Sequence, residues 1–253
     1  MWNSLILEQN HPLATLTLNR PSQLNALNLE LLTELEEALI LLEKDKDTRV
    51  VVLTGAGDRA FVAGADIGAM QAMTAEEGRA FAAYGQKVFS LIEHMPQPVI
   101  AMVQGFALGG GCELALACDI RVASERARFG QPEVTLGITP GFGGTQRLPR
   151  LIGRGRAARL LYTGSVIHAD EAFSLGLVDQ VLPHDQLREG TLALARAIAE
   201  QSACATQQIK RCIRNGMNTG LEAGLAYESQ AFGLCFTTSE QKKAMEAFLN
   251  KRR

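Results

Sequence analysis

Val99-Ile100-Ala101-Met102-Val103-Gln104-Gly105-Phe106-Ala107-Leu108-Gly109-Gly110-Gly111-Cys112-Glu113-Leu114-Ala115-Leu116-Ala117 is the stretch that decides the fold. It opens on a five-residue apolar run, short enough for a strand buried on both faces. It then passes a glycine-rich turn and is expected to continue as a helix over residues 112–117. Three consecutive glycines let a ligand or another backbone approach closely. They also stand where a helix leaves its first N–H groups unpaired, a favourable place for partial negative charge. A tight turn chosen for packing is the competing reading, and a triple glycine alone does not separate the two. Glu113 falls in the first helical turn, where the dipole favours an acid by about 0.3–1 kcal/mol, so a capping role competes with a chemical one.

The same strand–loop–helix beat extends outward in both directions. Residues 50–53 and 120–123 read as further short buried strands. Residues 5–7 and 14–18 read as two strands around a turn at His11-Pro12, with Ala14, Leu16 and Leu18 alternating against Thr15 and Thr17. From Asn28, a candidate N-cap, Leu31, Leu35, Leu39 and Leu42 recur at helical spacing. Strand–loop–helix units in series predict an α/β core whose sheets are covered by helices. Past about Pro183 the pattern changes, and residues 187–200, 205–215, 221–234 and 239–250 all carry helical periodicity. Two regions follow: residues 1–186, an α/β core holding the chemistry, and residues 187–253, a helical region suited to assembly. The exposed-looking apolar residues of its end, Phe232, Leu234, Phe236, Met245, Phe248 and Leu249, are candidates for burial between subunits.

Composition limits the function classes. The 253 residues are 47% hydrophobic and 21% charged, with a formal net charge of -2. That balance belongs to an ordinary globular protein and argues against a dedicated nucleic-acid binder. No apolar run approaches the roughly 18 residues of a membrane span, and the amino terminus has no signal-peptide pattern. Five cysteines, none in a C-x-x-C pair, fit buried free thiols in a reducing compartment, expected to be the cytoplasm.

Other chemistries fare poorly. Gly55-Ala56-Gly57-Asp58-Arg59-Ala60 formally matches a dinucleotide fingerprint, with Glu76 downstream as the ribose ligand. The fingerprint must open a long helix, whereas Phe61-Val62-Ala63-Gly64-Ala65-Asp66 reads as a loop. No G-x-S-x-G elbow occurs, and the four histidines lack metal-ligand spacing. Glu133 follows Gln131-Pro132 and is expected in a loop. Spacing alone cannot show that Glu113 and Glu133 converge.

Taken in order, several segments resemble the enoyl-CoA hydratase/isomerase (crotonase) superfamily: Leu18-Asn19-Arg20-Pro21 with Asn25-Ala26-Leu27, Ala63-Gly64-Ala65-Asp66-Ile67, the quoted stretch from Ala101 to Leu114, Phe129-Gly130-Gln131-Pro132-Glu133, and Pro140-Gly141-Phe142-Gly143-Gly144-Thr145-Gln146-Arg147-Leu148. The resemblance implies a spiral of repeated ββα units followed by a helical trimerisation region, assembled as a trimer or a dimer of trimers. It implies Glu113 and Glu133 as catalytic carboxyls, the amides of Ala65 and Gly110 as an oxyanion hole, and Gly141 as the position whose backbone holds water. Leu24, Ala26, Ala63, Asp66 and Ile67 would contact the substrate. The implied reaction is reversible syn addition of water to a 2-trans-enoyl-CoA thioester, giving a 3-hydroxyacyl-CoA, in fatty-acid or related acyl-CoA degradation. No metal and no cofactor beyond the CoA of the substrate are expected, and neither nucleic acid nor membrane is an expected partner. Retention of both glutamates favours a hydratase; the alternative is a Δ3-Δ2-enoyl-CoA isomerase or another CoA-ester enzyme of the superfamily, since the fold hosts several reactions. Residues 69–86, with Met70, Met73, Phe81 and Tyr84, are expected to form an adaptable apolar wall. Lys242, Lys243 or the basic end 251–253 could supply positive charge to a CoA phosphate, with a solvated tail as the favoured reading of the same residues.

Overall fold

The computed structural model describes residues 2–250. The chain winds between two sheets. β1 (Leu5–Asn10) and β2 (Leu13–Leu18) form a hairpin at His11-Pro12, and α1 (Leu29–Lys44) follows. The chain then lays one strand in each sheet before each helical crossing: β3 (Val50–Gly55) and β4 (Ala60–Ala63) precede α2 (Ile67–Met70) and α3 (Ala75–His94). β5 (Val99–Val103) and β6 (Phe106–Leu108) precede α4 (Gly110–Ala117). β7 (Ile120–Ser124) and β8 (Arg128–Gly130) precede α5 (Gly144–Ile152) and α6 (Arg154–Thr163), with β9 (Val166–His168), α7 (Ala169–Leu175) and β10 (Gln180–Leu182) completing the turn. The larger sheet has the order β1-β2-β3-β5-β7-β10 and the smaller β4-β6-β8-β9. All neighbours are parallel except β1 with β2 and β8 with β9. This is a spiral of ββα units.

Strand sequence explains the layering. Both faces of the larger sheet are covered, so its inner strands are continuous apolar runs. Val51, Leu53, Val99, Ala101 and Val103 face the main core, shared with α1, α3 and α4. Val50, Val52, Ile100, Met102 and Val122 face the other way, against α8 (Leu187–Ala199) through Leu187, Ala195 and Ala199. The helical region drawn from residue 187 therefore shares its first helix with the core. α9 (Ala203–Gly216), α10 (Leu221–Cys235) and α11 (Ser239–Asn250) lie outside that layer. α9 is tied back by Lys210, whose buried Nζ donates to the carbonyls of Ile92 (2.8 Å) and Gln97 (2.9 Å) and pairs with Asp119 at 2.7 Å.

Local signals act as the sequence indicates at Asn28, whose side chain accepts from the Leu31 amide at 2.9 Å and caps α1. Three expectations need correction. Ala60–Ala63 is a strand of the smaller sheet, not a loop: it is buried on its first three positions and pairs with β6, a tertiary fact invisible to a local pattern. α4 starts at Gly110 rather than Cys112, because the intrinsic cost of glycine in a helix is overridden by packing. Glu133 lies in a 3-10 turn, Pro132–Leu136, started by a proline in its first turn. The dinucleotide fingerprint is excluded: no long helix follows Gly55–Ala60, and Glu76 is exposed and paired with Arg79.

The smaller sheet and α4 meet at Gly111. A Cβ there would stand 1.9 Å from the Val62 carbonyl oxygen, so only glycine permits the approach. Gly155, in α6, has nothing within 4 Å of the same position. Gly111→Ala is expected to cost at least about 1–3 kcal/mol in urea denaturation through overpacking, whereas Gly155→Ala should gain about 0.5–1 kcal/mol by helix propensity. Equal effects at the two sites would contradict this packing.

Candidate active site

α4 begins directly after β6, and β4 runs beside it, so the end of one strand and the start of one helix face a common cleft. The cleft has a volume of about 580 Å³ and is lined by Ala63, Ala65, Ile67, Gly110, Glu113, Glu133 and Gly141. Most of the residues implied by the resemblance thus share one cavity. Leu24, Ala26 and Asp66 do not line it. They adjoin it: the Leu24 carbonyl accepts from the Ala63 amide at 3.0 Å, and Arg20 donates to the Ala26 carbonyl and pairs with Asp66 at 3.3 Å.

Backbone pairing fixes where the Ala65 amide points. Leu27 and Ala65 form a parallel bridge in which Leu27 donates to the Gly64 carbonyl (2.9 Å) and accepts from the Asp66 amide (2.8 Å). In such a bridge the central residue turns its own N–H to the opposite side. Gly110 is the first residue of α4, so its N–H has no acceptor within the helix. Gly109, at φ 50°, makes the turn into the helix in a region that favours glycine; a Cβ there would lie 2.9 Å from Glu133 Oε1.

Glu113 is buried, and its Oε1 accepts from the amides of Phe142 (2.8 Å) and Gly144 (2.6 Å), at the amino end of α5. Burial pushes its carboxyl above the ordinary range, while those amides and the Arg147 charge oppose the rise. Glu133 is also buried, and its pKa is raised to about 7, first by burial and further by the charge of Glu113. Gln131, itself buried, reaches Glu133: with its nitrogen turned to the carboxyl, the amide donates to Oε1 and Oε2 at 3.0 and 3.2 Å. Cys112 lies beside Gln131, and burial holds its thiol protonated, up to about 12. The arrangement offers two buried carboxyls and two outward amides in one cavity, which suits moving protons next to an oxygen that is gaining charge.

Sequence reasoning gave no role to Gln131, Phe142, Gly144, Arg147 or Glu93. The signal available was the glycine-rich stretch Gly141-Phe142-Gly143-Gly144 opening a helix, with arginine one turn in. The apolar wall is partly as expected: Met70, Met73 and Phe81 line the cleft, joined by Leu136 and Ile138. Tyr84 instead turns to α1, donating to Glu36 at 2.7 Å. Residues 251–253 lie outside the described residues.

The sequence profile described as enoyl-CoA hydratase/isomerase matches residues 8–253. The chain belongs to the enoyl-CoA hydratase/isomerase family. A crotonyl-CoA hydratase of Syntrophomonas wolfei is 51% identical over 252 residues, covering 100% of this chain and 97% of its own length. A short-chain-enoyl-CoA hydratase of Clostridium acetobutylicum is 50% identical, covering 99% of this chain and 96% of its own. The crystal structure of an enoyl-CoA hydratase from Bacillus anthracis superposes with a TM-score of 0.95 at 43% identity, covering 98% of this chain and 97% of that one.

The raised pKa of Glu133 makes a stability prediction. Between the ordinary carboxyl value and about 7 the folded protein holds a proton that the unfolded chain releases. This contribution to stability is complete below the unfolded pKa and is lost as pH rises through about 7. Glu133→Gln, which cannot ionise, is therefore expected to gain stability over the wild type as pH goes from 5 to 8, measured by urea denaturation at the two pH values. A stability difference that does not change with pH would show that Glu133 titrates normally.

Proposed function

We propose that this chain is an enoyl-CoA hydratase that adds water reversibly, with syn geometry, to short 2-trans-enoyl-CoA thioesters. The observation that carries the proposal is the pair of buried carboxyls, Glu113 and Glu133, lining one cleft with the amides of Ala65 and Gly110. The similarity to the crotonyl-CoA and short-chain hydratases supports both the reaction and the short acyl group.

In this reading the thioester oxygen lies between the Ala65 and Gly110 N–H groups. Negative charge gathers on that oxygen as water attacks C3, and losing one such donor typically costs about 2.7–4 kcal/mol. Glu113, with Oε1 committed to two amides, uses its second oxygen to take a proton from water, which the Gly141 backbone helps to hold. Glu133, protonated near neutral pH, delivers a proton to C2. Two carboxyls in one cavity resist ionising together, so they exchange roles when the reaction runs backward. An isomerase needs only one carboxyl to carry a proton between carbons; the second buried carboxyl favours hydration. The CoA moiety belongs to the substrate, and the reaction requires no further cofactor and no metal. Leu24, Ala26 and Asp66 contact the substrate beside the cavity, Leu24 next to Ala63 and Asp66 next to Arg20.

Assembly as a trimer or a dimer of trimers belongs to the same proposal. Phe232, Leu234, Phe236, Met245, Phe248 and Leu249 are all exposed on the single chain, as are Ile209 and Ile213 of α9 and Met217 just beyond it. Apolar surface of this extent marks an interaction site. No described helix is long and apolar enough to cross a membrane. Five free cysteines support a cytoplasmic setting, and the reaction suits a step of fatty-acid or related acyl-CoA degradation.

Crotonyl-CoA tests the reaction through the loss of its conjugated-thioester absorbance. Glu113→Gln and Glu133→Gln are each expected to lower kcat by at least about 10²-fold with KM little changed. Near-normal turnover in either variant would sink the two-carboxyl mechanism. For assembly, a chain ending at Gly220 should sediment as a smaller species and lose activity; a full-length chain that sediments as a fully active monomer at micromolar concentration would overturn the assembly.

A further inference from the structure

The fold leaves one charged pair unexplained. Arg147, in the second turn of α5, and Glu93, in the last turn of α3, form a bidentate ion pair: Nε donates to Oε1 at 2.8 Å and Nη2 to Oε2 at 2.7 Å. Both are only partly exposed, and this fork geometry is the strong form of the arginine–carboxylate contact. The third arm of the guanidinium, Nη1, donates to the Phe142 carbonyl at 2.8 Å.

The geometry points to Arg147 as the residue that positions Glu113, by holding the peptide segment whose amides grip the Glu113 carboxylate. The inference rests on the hydratase reading above. The Phe142 amide and the Gly144 amide both donate to Glu113 Oε1. The Phe142 carbonyl, between them in sequence, is the group that Arg147 fixes. A trans peptide unit is planar and sends its C=O and N–H in opposite directions. Holding the oxygen on the Arg147 side therefore turns the Gly143 N–H to the other side, where it adds to the amides that favour an ionised Glu113. Gly143 has φ 112°, and a Cβ on it would stand 2.2 Å from Arg147 Nη1. The glycine thus allows both the turn and the close seat of the guanidinium. Glu93 in turn neutralises part of the Arg147 charge, while the Phe142 carbonyl holds the guanidinium in its seat.

The charged and titratable groups around Glu113 divide by sign. Arg147 on α5 favours its ionised form. Glu93 on α3, paired with Arg147, opposes this by neutralising it. Glu133 in the 3-10 turn and Cys112 on α4 itself stand on the same site, coupled to Glu113 as like charges when ionised. The strands packed on α4, Ala60–Ala63 and Phe106–Leu108, carry no titratable side chain. Arg147 and Glu93 carry opposite charges, so removing each is expected to move the Glu113 titration in opposite directions.

The test is the pH dependence of kcat/KM for crotonyl-CoA hydration in the wild type, Arg147→Met, Arg147→Lys and Glu93→Gln. Its acid limb reports Glu113 losing its ionised form. Arg147→Met is expected to move that limb upward by about one pH unit, the effect of removing a nearby opposite charge. It should also lower kcat about tenfold, with KM within about twofold of wild type. Glu93→Gln is expected to move the limb downward, because the arginine charge is then no longer neutralised. Arg147→Lys should return the limb toward wild type, since it restores the charge, but leave kcat low, since lysine lacks the fork. Limbs that stay at the wild-type position in both Arg147→Met and Glu93→Gln, or move the same way in both, would overturn the assignment. If Arg147→Met does not fold, as judged by circular dichroism, the Glu93→Gln limb decides: a downward shift supports the assignment and an unmoved limb overturns it. A wild type that does not hydrate crotonyl-CoA would instead sink the hydratase reading, a result distinct from an active enzyme with unmoved limbs.

Discussion

The contact between the start of α4 and strand β4 is the constraint from which the site follows. Helix and strand approach until the Gly111 α-carbon lies against the Val62 carbonyl. Because α4 is seated there, Gly110 presents its unpaired amide at the cleft, and Glu113, three residues on, lies nearly one turn along the same helix. Because β4 is seated there, the residues just beyond it, Gly64 to Asp66, are clamped by Leu27 and turn the Ala65 amide outward. Two donors from different segments share one cavity through a single backbone contact. Loosening it would separate them even with every polar group intact.

Burying two carboxyls in such a place is costly, and the structure compensates each differently. Glu113 is held by main-chain amides at a helix start, where partial positive charge is fixed and needs no side chain to reorganise. Glu133 has fewer donors, a neighbouring amide from Gln131 and the charge of Glu113 close by, so it retains its proton to about pH 7. In the reaction proposed above, the carboxyl with main-chain support is the proton acceptor and the one without it the proton donor.

Much of the fold could be read from periodicity. The strand at residues 99–103, the cap at Asn28 and the helix at residues 239–250 stand where their local patterns put them. The smaller sheet could not be read that way. Its strands, Ala60–Ala63, Phe106–Leu108, Arg128–Gly130 and Val166–His168, are three or four residues long, too short to show alternation, and they exist because partners lie beside them. For the site, motif resemblance named seven residues that line the cleft and three, Leu24, Ala26 and Asp66, that do not, since order along the chain carries most of that information. It gave no account of Arg147 and Glu93, 54 positions apart, whose meeting depends on how α3 and α5 cross. The apolar-wall reading of residues 69–86 also gave Tyr84 to the cleft, where a helical face alone does not reveal which side meets α1.

The placement of α8 has a consequence in time rather than in space. Val50, Val52, Ile100, Met102 and Val122 find their covering helix only in residues 187–199. A nascent chain that has already emitted both glutamates, the glycine turn and every strand still carries one bare apolar face on its larger sheet. Domains fold as units as they emerge, and exposed apolar surface at that stage invites aggregation. From residue 182, where the last strand ends, to residue 199, that face has no covering helix. α8 ends this exposure by closing the sheet, before α9, α10 and α11 have been made.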